Sequence, residues 1–259
     1  KMINGYIKAA AVLLLALLPV IESRGQDENY VLEETMLDPQ GSSRISTWQV
    51  YDGLGHPSLT ATNGLGDGSK YVYTYQNYDA NGRPWKQWLP VVGGTERQTA
   101  GEADITGMSQ SLYHQGDYAL SASTYDALGR QTFRTIPGAL WKGKGTATEY
   151  VTNGDDDVRW YLAPLDKVNL VKNGYYPAGS LQGVRTTDSD GRTTTVFTDG
   201  LGRKVLVRRS GYDTYFVYND LDQLRYVLSP QYQKSGRKGQ QGYEYRYDRL
   251  MRCVWHRLP

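Results

Sequence analysis

Tyr125-Asp126-Ala127-Leu128-Gly129-Arg130 decides the reading of this chain, because the same phrase returns along most of the sequence. An aromatic residue ends one strand. Asp accepts hydrogen bonds from backbone N–H groups ahead of it, Gly takes a left-handed backbone position, and Arg begins the return strand. The phrase therefore encodes a β-hairpin.

Working outward, Tyr51-Asp52-Gly53-Leu54-Gly55-His56, Tyr78-Asp79-Ala80-Asn81-Gly82-Arg83, Thr187-Asp188-Ser189-Asp190-Gly191-Arg192 and Thr198-Asp199-Gly200-Leu201-Gly202-Arg203 repeat it. In Tyr218-Asn219-Asp220-Leu221-Asp222-Gln223 and Tyr247-Asp248-Arg249-Leu250-Met251-Arg252 the Gly is replaced by Asp222 and Met251. Met tolerates a positive φ poorly, so the last turn is expected to take another shape. The copies start at 51, 78, 125, 187, 198, 218 and 247. Such uneven intervals indicate hairpins with insertions, since a solenoid would hold its period.

The flanking stretches read as strands. Tyr71, Tyr73 and Tyr75 alternate with Val72 and Thr74, and Thr214 to Tyr218, Leu224 to Leu228 and Tyr243 to Tyr247 are β-branched or aromatic throughout much of their length. The expected fold is all-β, with consecutive antiparallel hairpins forming a curved sheet. Residues 26–42, acidic and without alternation, read as a leader, with strands beginning near Ser43. Polar, Gly-rich residues 93–119 read as an inserted loop with room for one short helix, and residues 137–182 as a second insertion. The YD-repeat region spans 43–259. The phrase at 247–252 leaves only a short tail after it, so a truncated C-terminal end is expected.

Ala9 to Val20 is an apolar run, broken only by Pro19, after Lys1 and Lys8 and before Ser23-Arg24-Gly25. Too short to span a bilayer, it reads as a signal peptide over residues 1–25, which places the mature chain outside the cell, secreted or at the surface, without a stable membrane span. Losing Lys1, Lys8, Arg24 and Glu22 brings the net charge from +2 to zero, so no electrostatic pull toward nucleic acid is expected. Cys253 is the single cysteine, which rules out an internal disulfide framework. Against 22 Tyr and 6 Trp stand only 3 Phe, a composition suited to sheets with one face partly wet.

Taken together, the repeats resemble the YD repeats of the Rhs family, and with the exported N-terminus they resemble the N-terminal region of Rhs-repeat proteins of Bacteroidetes-type bacteria. Thr214-Tyr215-Phe216-Val217-Tyr218-Asn219-Asp220-Leu221 followed by Leu224-Arg225-Tyr226-Val227-Leu228-Ser229-Pro230 carries this best, with Tyr245-Arg246-Tyr247-Asp248 and Arg252-Cys253-Val254-Trp255 beside it. The resemblance implies a hollow Rhs/teneurin-like shell whose wall encloses or presents a C-terminal domain, a toxin in some relatives. It implies as partners the remainder of a longer chain and its cargo.

Chemistry finds little footing in the sequence. His56, His114 and His256 lie far apart, and no partner motif accompanies them. Gly138 to Thr146 imitates a phosphate loop but places Gly145 where a Ser or Thr must follow Lys144. Asp155-Asp156-Asp157 has no distal Glu spaced to close a calcium loop. No cofactor, metal site or enzyme activity is expected. The second reading is a surface adhesion or carbohydrate-binding module, with Trp85 and Trp88, or Trp160 and Tyr161, stacking on sugar rings.

Overall fold

A computed structural model describes residues 29–65, 70–165, 169–236 and 241–258. The expected signal peptide lies outside the described residues. Among them, no helix is long and apolar enough to cross a membrane. The chain divides into two compact units, one ending at Lys144 and the other starting at Gly145.

In the first unit, β1 (Asn29–Met36), β2 (Arg44–Tyr51), β3 (Pro57–Asn63), β4 (Val72–Tyr78), β5 (Pro84–Trp88), β7 (Leu120–Tyr125) and β8 (Gln131–Thr135) pair in that order. All of these pairs are antiparallel. β6 (Val91–Val92) pairs with β4. Alternation sorts the side chains by face. Val50, Leu59, Ala61, Tyr73 and Trp88 form a core on one side. Helix α1 (Glu102–Tyr113), from the expected inserted loop, covers that core through buried Ile105, with Met108 packed against it. The Gly101 N–H donates to Asp104 Oδ2 at 2.9 Å, which satisfies one of the amides left open at the helix start. Left-handed His114 (φ 57°) ends the helix. Burying a residue such as Leu59 or Ile105 contributes about 1.5–3 kcal/mol.

β1 corrects the expected leader. Residues 29–36 pair residue for residue with β2, from Asn29 opposite Tyr51 to Met36 opposite Arg44. The strand shows little alternation because most of it is exposed on both faces. Its acidic residues are anchored from β2, where Ser46 Oγ donates to Glu34 Oε1 at 3.0 Å and Arg44 Nε lies 3.3 Å from the same oxygen. Charge on an outer strand also discourages pairing with other chains.

In the second unit, β9 (Gly145–Thr152), β12 (Gln182–Thr187), β13 (Thr193–Thr198), β14 (Lys204–Arg209), β15 (Tyr212–Tyr218), β16 (Leu224–Leu228), β17 (Gly242–Tyr247) and β18 (Cys253–Arg257) form the ladder, again antiparallel. β9 lies inside the expected second insertion, so that boundary is corrected. Thr148 and Tyr150 stand opposite Thr186 and Val184 as ordinary ladder partners, so residues 145–152 belong to the ladder and the stretch after Thr152 leaves it. There β10 (Arg159–Leu162) and β11 (Val171–Tyr175) make a separate hairpin. Val158, Tyr161 and Leu181, with Tyr232 of the short helix α2 (Pro230–Ser235), close a core over Phe197, Leu206, Val217 and Leu228. The final hairpin is formed on both sides, since Glu244 to Tyr247 pair with Arg257 to Cys253.

Candidate functional site: the turn rows and the adjoining sheet face

The Asp turns share one hydrogen-bond pattern. At Asp126 the backbone N–H donates to the Arg130 carbonyl at 2.9 Å, and the Gly129 N–H donates back to the Asp126 carbonyl at 3.0 Å. The Leu128 and Arg130 N–H groups both donate to Oδ1 at 2.9 Å, while Arg130 Nε donates to Oδ2 at 2.8 Å. Asp52, Asp79, Asp199 and Asp248 repeat the backbone and Oδ1 contacts. Arg83, Arg203 and Arg252 give the Nε contact at 2.7, 2.7 and 2.8 Å, and His56 Nδ1 lies 3.0 Å from Asp52 Oδ2 in the Arg place. The hydrogen bonds to the carboxylate favour its charged form. The backbone N–H of residue 130 is foremost in holding Asp126 below the usual carboxylate range, as are those of His56 for Asp52 and Arg252 for Asp248; for Asp79 the Arg83 side chain is foremost.

Two substitutions keep the geometry. Asn219 accepts the Leu221 and Gln223 N–H groups at 3.0 and 2.9 Å, and its Nδ2 donates to Gln223 Oε1 at 2.8 Å, so an amide pair replaces the ion pair. Met251 was expected to change the last turn. It does not: Met251 sits at φ 63° and donates its N–H to Asp248 at 3.0 Å. The five turn contacts outweigh the left-handed cost of about 1–2 kcal/mol.

Strand direction sets where each turn emerges. In the first unit the turns at Asp52, Asp79 and Asp126 join β2 to β3, β4 to β5 and β7 to β8, so they share one margin. Along it Tyr78 and Tyr125 each grip the preceding turn. Tyr78 Oη donates to the Pro57 carbonyl at 2.8 Å, and its ring stacks on His56 with centroids 4.7 Å apart. Tyr125 Oη donates to the Pro84 carbonyl at 2.6 Å, with the Arg83 guanidinium 4.7 Å from the ring centre. Gly82 suits this place, with φ +72°, and a Cβ there would lie 2.9 Å from His56 Nε2 and force the imidazole to shift. The turns at Asp199, Asn219 and Asp248 form the corresponding row of the second unit. Arg203 lies 5.1 Å from the Tyr218 ring and pairs with Asp222, while Tyr247 Oη donates to the Leu224 carbonyl at 2.9 Å.

Asp188 stands apart. Its turn joins β12 to β13 and emerges at the margin opposite the Asp199 turn. It keeps the Oδ1 contacts, but Arg192 turns to Asp190 at 2.8 Å; Thr187 occupies the Tyr place, as Thr198 does in the Asp199 phrase.

The proposed sugar platforms separate sharply. Trp88 is 3% exposed and Tyr161 7%, so both are core side chains and neither offers a free ring. Trp160 is half-buried and stacks on Tyr176 at 5.1 Å. Trp85 remains open, 43% exposed, on the sheet face opposite the first core. Beside it is a cleft of about 200 Å³ lined by Gln87, Ser121, Ser123 and Arg134. Arg134 Nη2 donates to Gln87 Oε1 at 2.8 Å and to Ser121 Oγ at 3.3 Å. A second depression of about 210 Å³ adjoins it, sharing Gln76 and Gln87 and continuing over Gln49, Thr60 and Thr74. The sequence reading did not find this cleft, because its walls come from four strands.

Other candidates are occupied elsewhere. Asp157 pairs with Arg208 at 2.7 Å, and Arg208 also holds Asp213 at 2.7 Å. Those two carboxylates keep the guanidinium protonated, with the Asp213 hydrogen bond foremost. His114 is a helix cap and His256 lies exposed on β18. Among the described residues, no three His, Cys, Asp or Glu side chains gather as metal ligands. Cys253 is exposed and unbridged.

No curated protein matches the chain. Among solved structures, a Photorhabdus luminescens Tc holotoxin pore is similar at 13% identity and a TM-score of 0.46, covering 98% of this chain and 12% of that one. A TcdB2–TccC3–Cdc42 crystal structure is similar at 15% identity and a TM-score of 0.46, covering 94% and 12%. The chain thus spans about an eighth of the length of the structures it matches. The family described as "Domain of unknown function (DUF6443)" matches residues 24–153, just over half of the sequence, and the chain belongs to that family.

Proposed function

We propose that this chain is a non-enzymatic wall segment of an exported Rhs-type protein, whose hairpins continue into a shell that encloses or presents a C-terminal domain. The observation that carries the reading is the grip of three phrase tyrosines on the preceding turn: Tyr78 on Pro57, Tyr125 on Pro84, Tyr247 on Leu224. These contacts fix one hairpin to the next along a margin and bring no reacting groups together. Such an arrangement suits mechanical continuity. In this reading, the partners are the rest of a longer chain and its cargo.

An immunoblot of producing cells and their medium against this segment tests the proposal. The expected species is far larger than the 29.1 kDa chain and is found outside the cytoplasm. A stable product of this size, or one confined to the cytoplasm, would overturn the wall reading.

A further inference from the structure

Gly138 to Thr146 fails as a phosphate loop, yet the fold gives this segment another character. It leaves β8 at the margin opposite the Asp126 turn and forms a single 3-10 turn, Ala139–Trp141. Leu140 is 91% exposed, more than any other large apolar side chain among the described residues, and Trp141 beside it is exposed as well. The apolar surface continues inward from this tip. Leu140 and Trp141 also wall a cleft of about 300 Å³ together with Leu89, Tyr113, Ala119 and Pro137. An exposed patch of this kind marks a surface that meets an apolar partner.

Two exposed lysines frame the patch. Lys142 Nζ lies 5.6 Å from the Tyr118 ring centre, and Lys144 Nζ lies 5.3 Å from that of Trp141. Residues 136–148 hold no Asp or Glu, and Asp117 of the adjoining turn offsets one charge at most, so the patch is cationic. The tip is also held in place. Ala139 N–H donates to Gln115 Oε1 at 2.7 Å, Gly138 N–H to the Tyr118 carbonyl at 2.7 Å, and Lys144 N–H to the Trp141 carbonyl at 2.8 Å. Binding through it therefore costs little further ordering.

A leucine this exposed projects from the surface, and acyl chains can close around it without a preformed hollow. Trp and Tyr rings have an apolar body and a polar edge, which suits the depth of lipid headgroups. Lysines lying along those rings can reach the phosphates above while their stems stay in the apolar layer. We propose that the tip of Leu140 and Trp141, with Lys142 and Lys144, is a peripheral anchor for an anionic lipid bilayer. It needs no membrane-crossing helix. It also stands apart from the wall reading, since a short product and a long one would both carry the loop.

Sedimentation of the full chain with vesicles tests it, comparing phosphatidylcholine alone with equal parts of phosphatidylcholine and phosphatidylglycerol. The mixed vesicles should bind about tenfold more tightly, the effect of two lysines at an anionic surface, and added salt should weaken them. Lys142→Gln together with Lys144→Gln should bring that affinity down to the phosphatidylcholine value. Leu140→Ser should remove about tenfold of the affinity for mixed vesicles while the melting temperature stays at the wild-type value. Leu54→Ser, at an exposed leucine of the opposite margin, should change neither. Equal binding of the two vesicle types, no binding of either, indifference to Leu140→Ser, or an equal loss in Leu54→Ser would each overturn the proposal.

Discussion

The Asp188 and Asp199 turns are neighbours in the second unit, and both use an Asp Oδ1 to hold two N–H groups at 2.9–3.0 Å. Only the Asp199 turn also clasps its Arg, through Nε at 2.7 Å, and passes that Arg on to Tyr218 of the next hairpin. The difference separates two functions within one short phrase. Asp and the left-handed position make the turn, whereas Tyr and Arg join it to a neighbour. A turn on the opposite margin keeps the first function and loses the second.

The largest test of this separation compares Asp199→Ala with Asp188→Ala. Removing a side-chain cap costs about 1 kcal/mol. Asp188→Ala should lose that much, while Asp199→Ala should lose about 2 kcal/mol, because Arg203 also loses its charged partner. Urea midpoints at constant m-value read the difference, and equal losses would erase it.

The joining function alone is probed by Tyr125→Phe and Tyr78→Phe. Each deletes one hydrogen bond to a preceding carbonyl and should cost about 1 kcal/mol. Tyr212→Phe, at an exposed ring outside the phrase, should be close to neutral.

Smaller effects of opposite sign are expected at the left-handed position. Met251→Gly should stabilise by about 0.5 kcal/mol, the relief of strain being partly offset by the freer unfolded chain, and Gly129→Met should destabilise. If both destabilise, Met251 makes a contact that matters more than its backbone angle.

The least perturbing test is acid. Asp52, Asp79, Asp126 and Asp248 have folded-state values below the ordinary carboxylate range. Their contribution is fully present above the unfolded value, near pH 4, and fades as pH falls through the lower folded values. Asn219 cannot titrate. Amide exchange should therefore show Leu128 and Leu54 losing protection in acid while Leu221 keeps it. Asn219→Asp should bring Leu221 into line with the others.

Much of this was legible in the sequence because the phrase is local. Asp126 acts on residues two and four ahead, so its spacing can be read directly. The margin on which a turn emerges was legible only in part. The starts at 187 and 198 are separated by a single strand, which forces the two turns to opposite ends, but Asp188 differs from Asp199 in no residue that makes the turn itself. β1 was missed because an outer strand with two wet faces loses alternation, and β9 because insertion and ladder meet without a composition change. The last turn was misjudged by weighing Met251 alone against four hydrogen bonds to Asp248 and one from it. For the aromatic pairs, sequence could not tell Trp85 from Trp88, because three residues along a strand reverse the face.

In the first unit, the three turns of the repeated phrase, at Asp52, Asp79 and Asp126, lie on one margin, and the connection of residues 89–119 returns at the other. One border therefore has a fixed pitch, set by turns whose length cannot change without breaking the Asp contacts. The opposite border holds connections of unequal length, from the Asp38 turn between β1 and β2 to the 31 residues that carry β6 and α1. Sequence of very different length is already accommodated there, β6 and α1 among it, while the neighbouring strands keep their register.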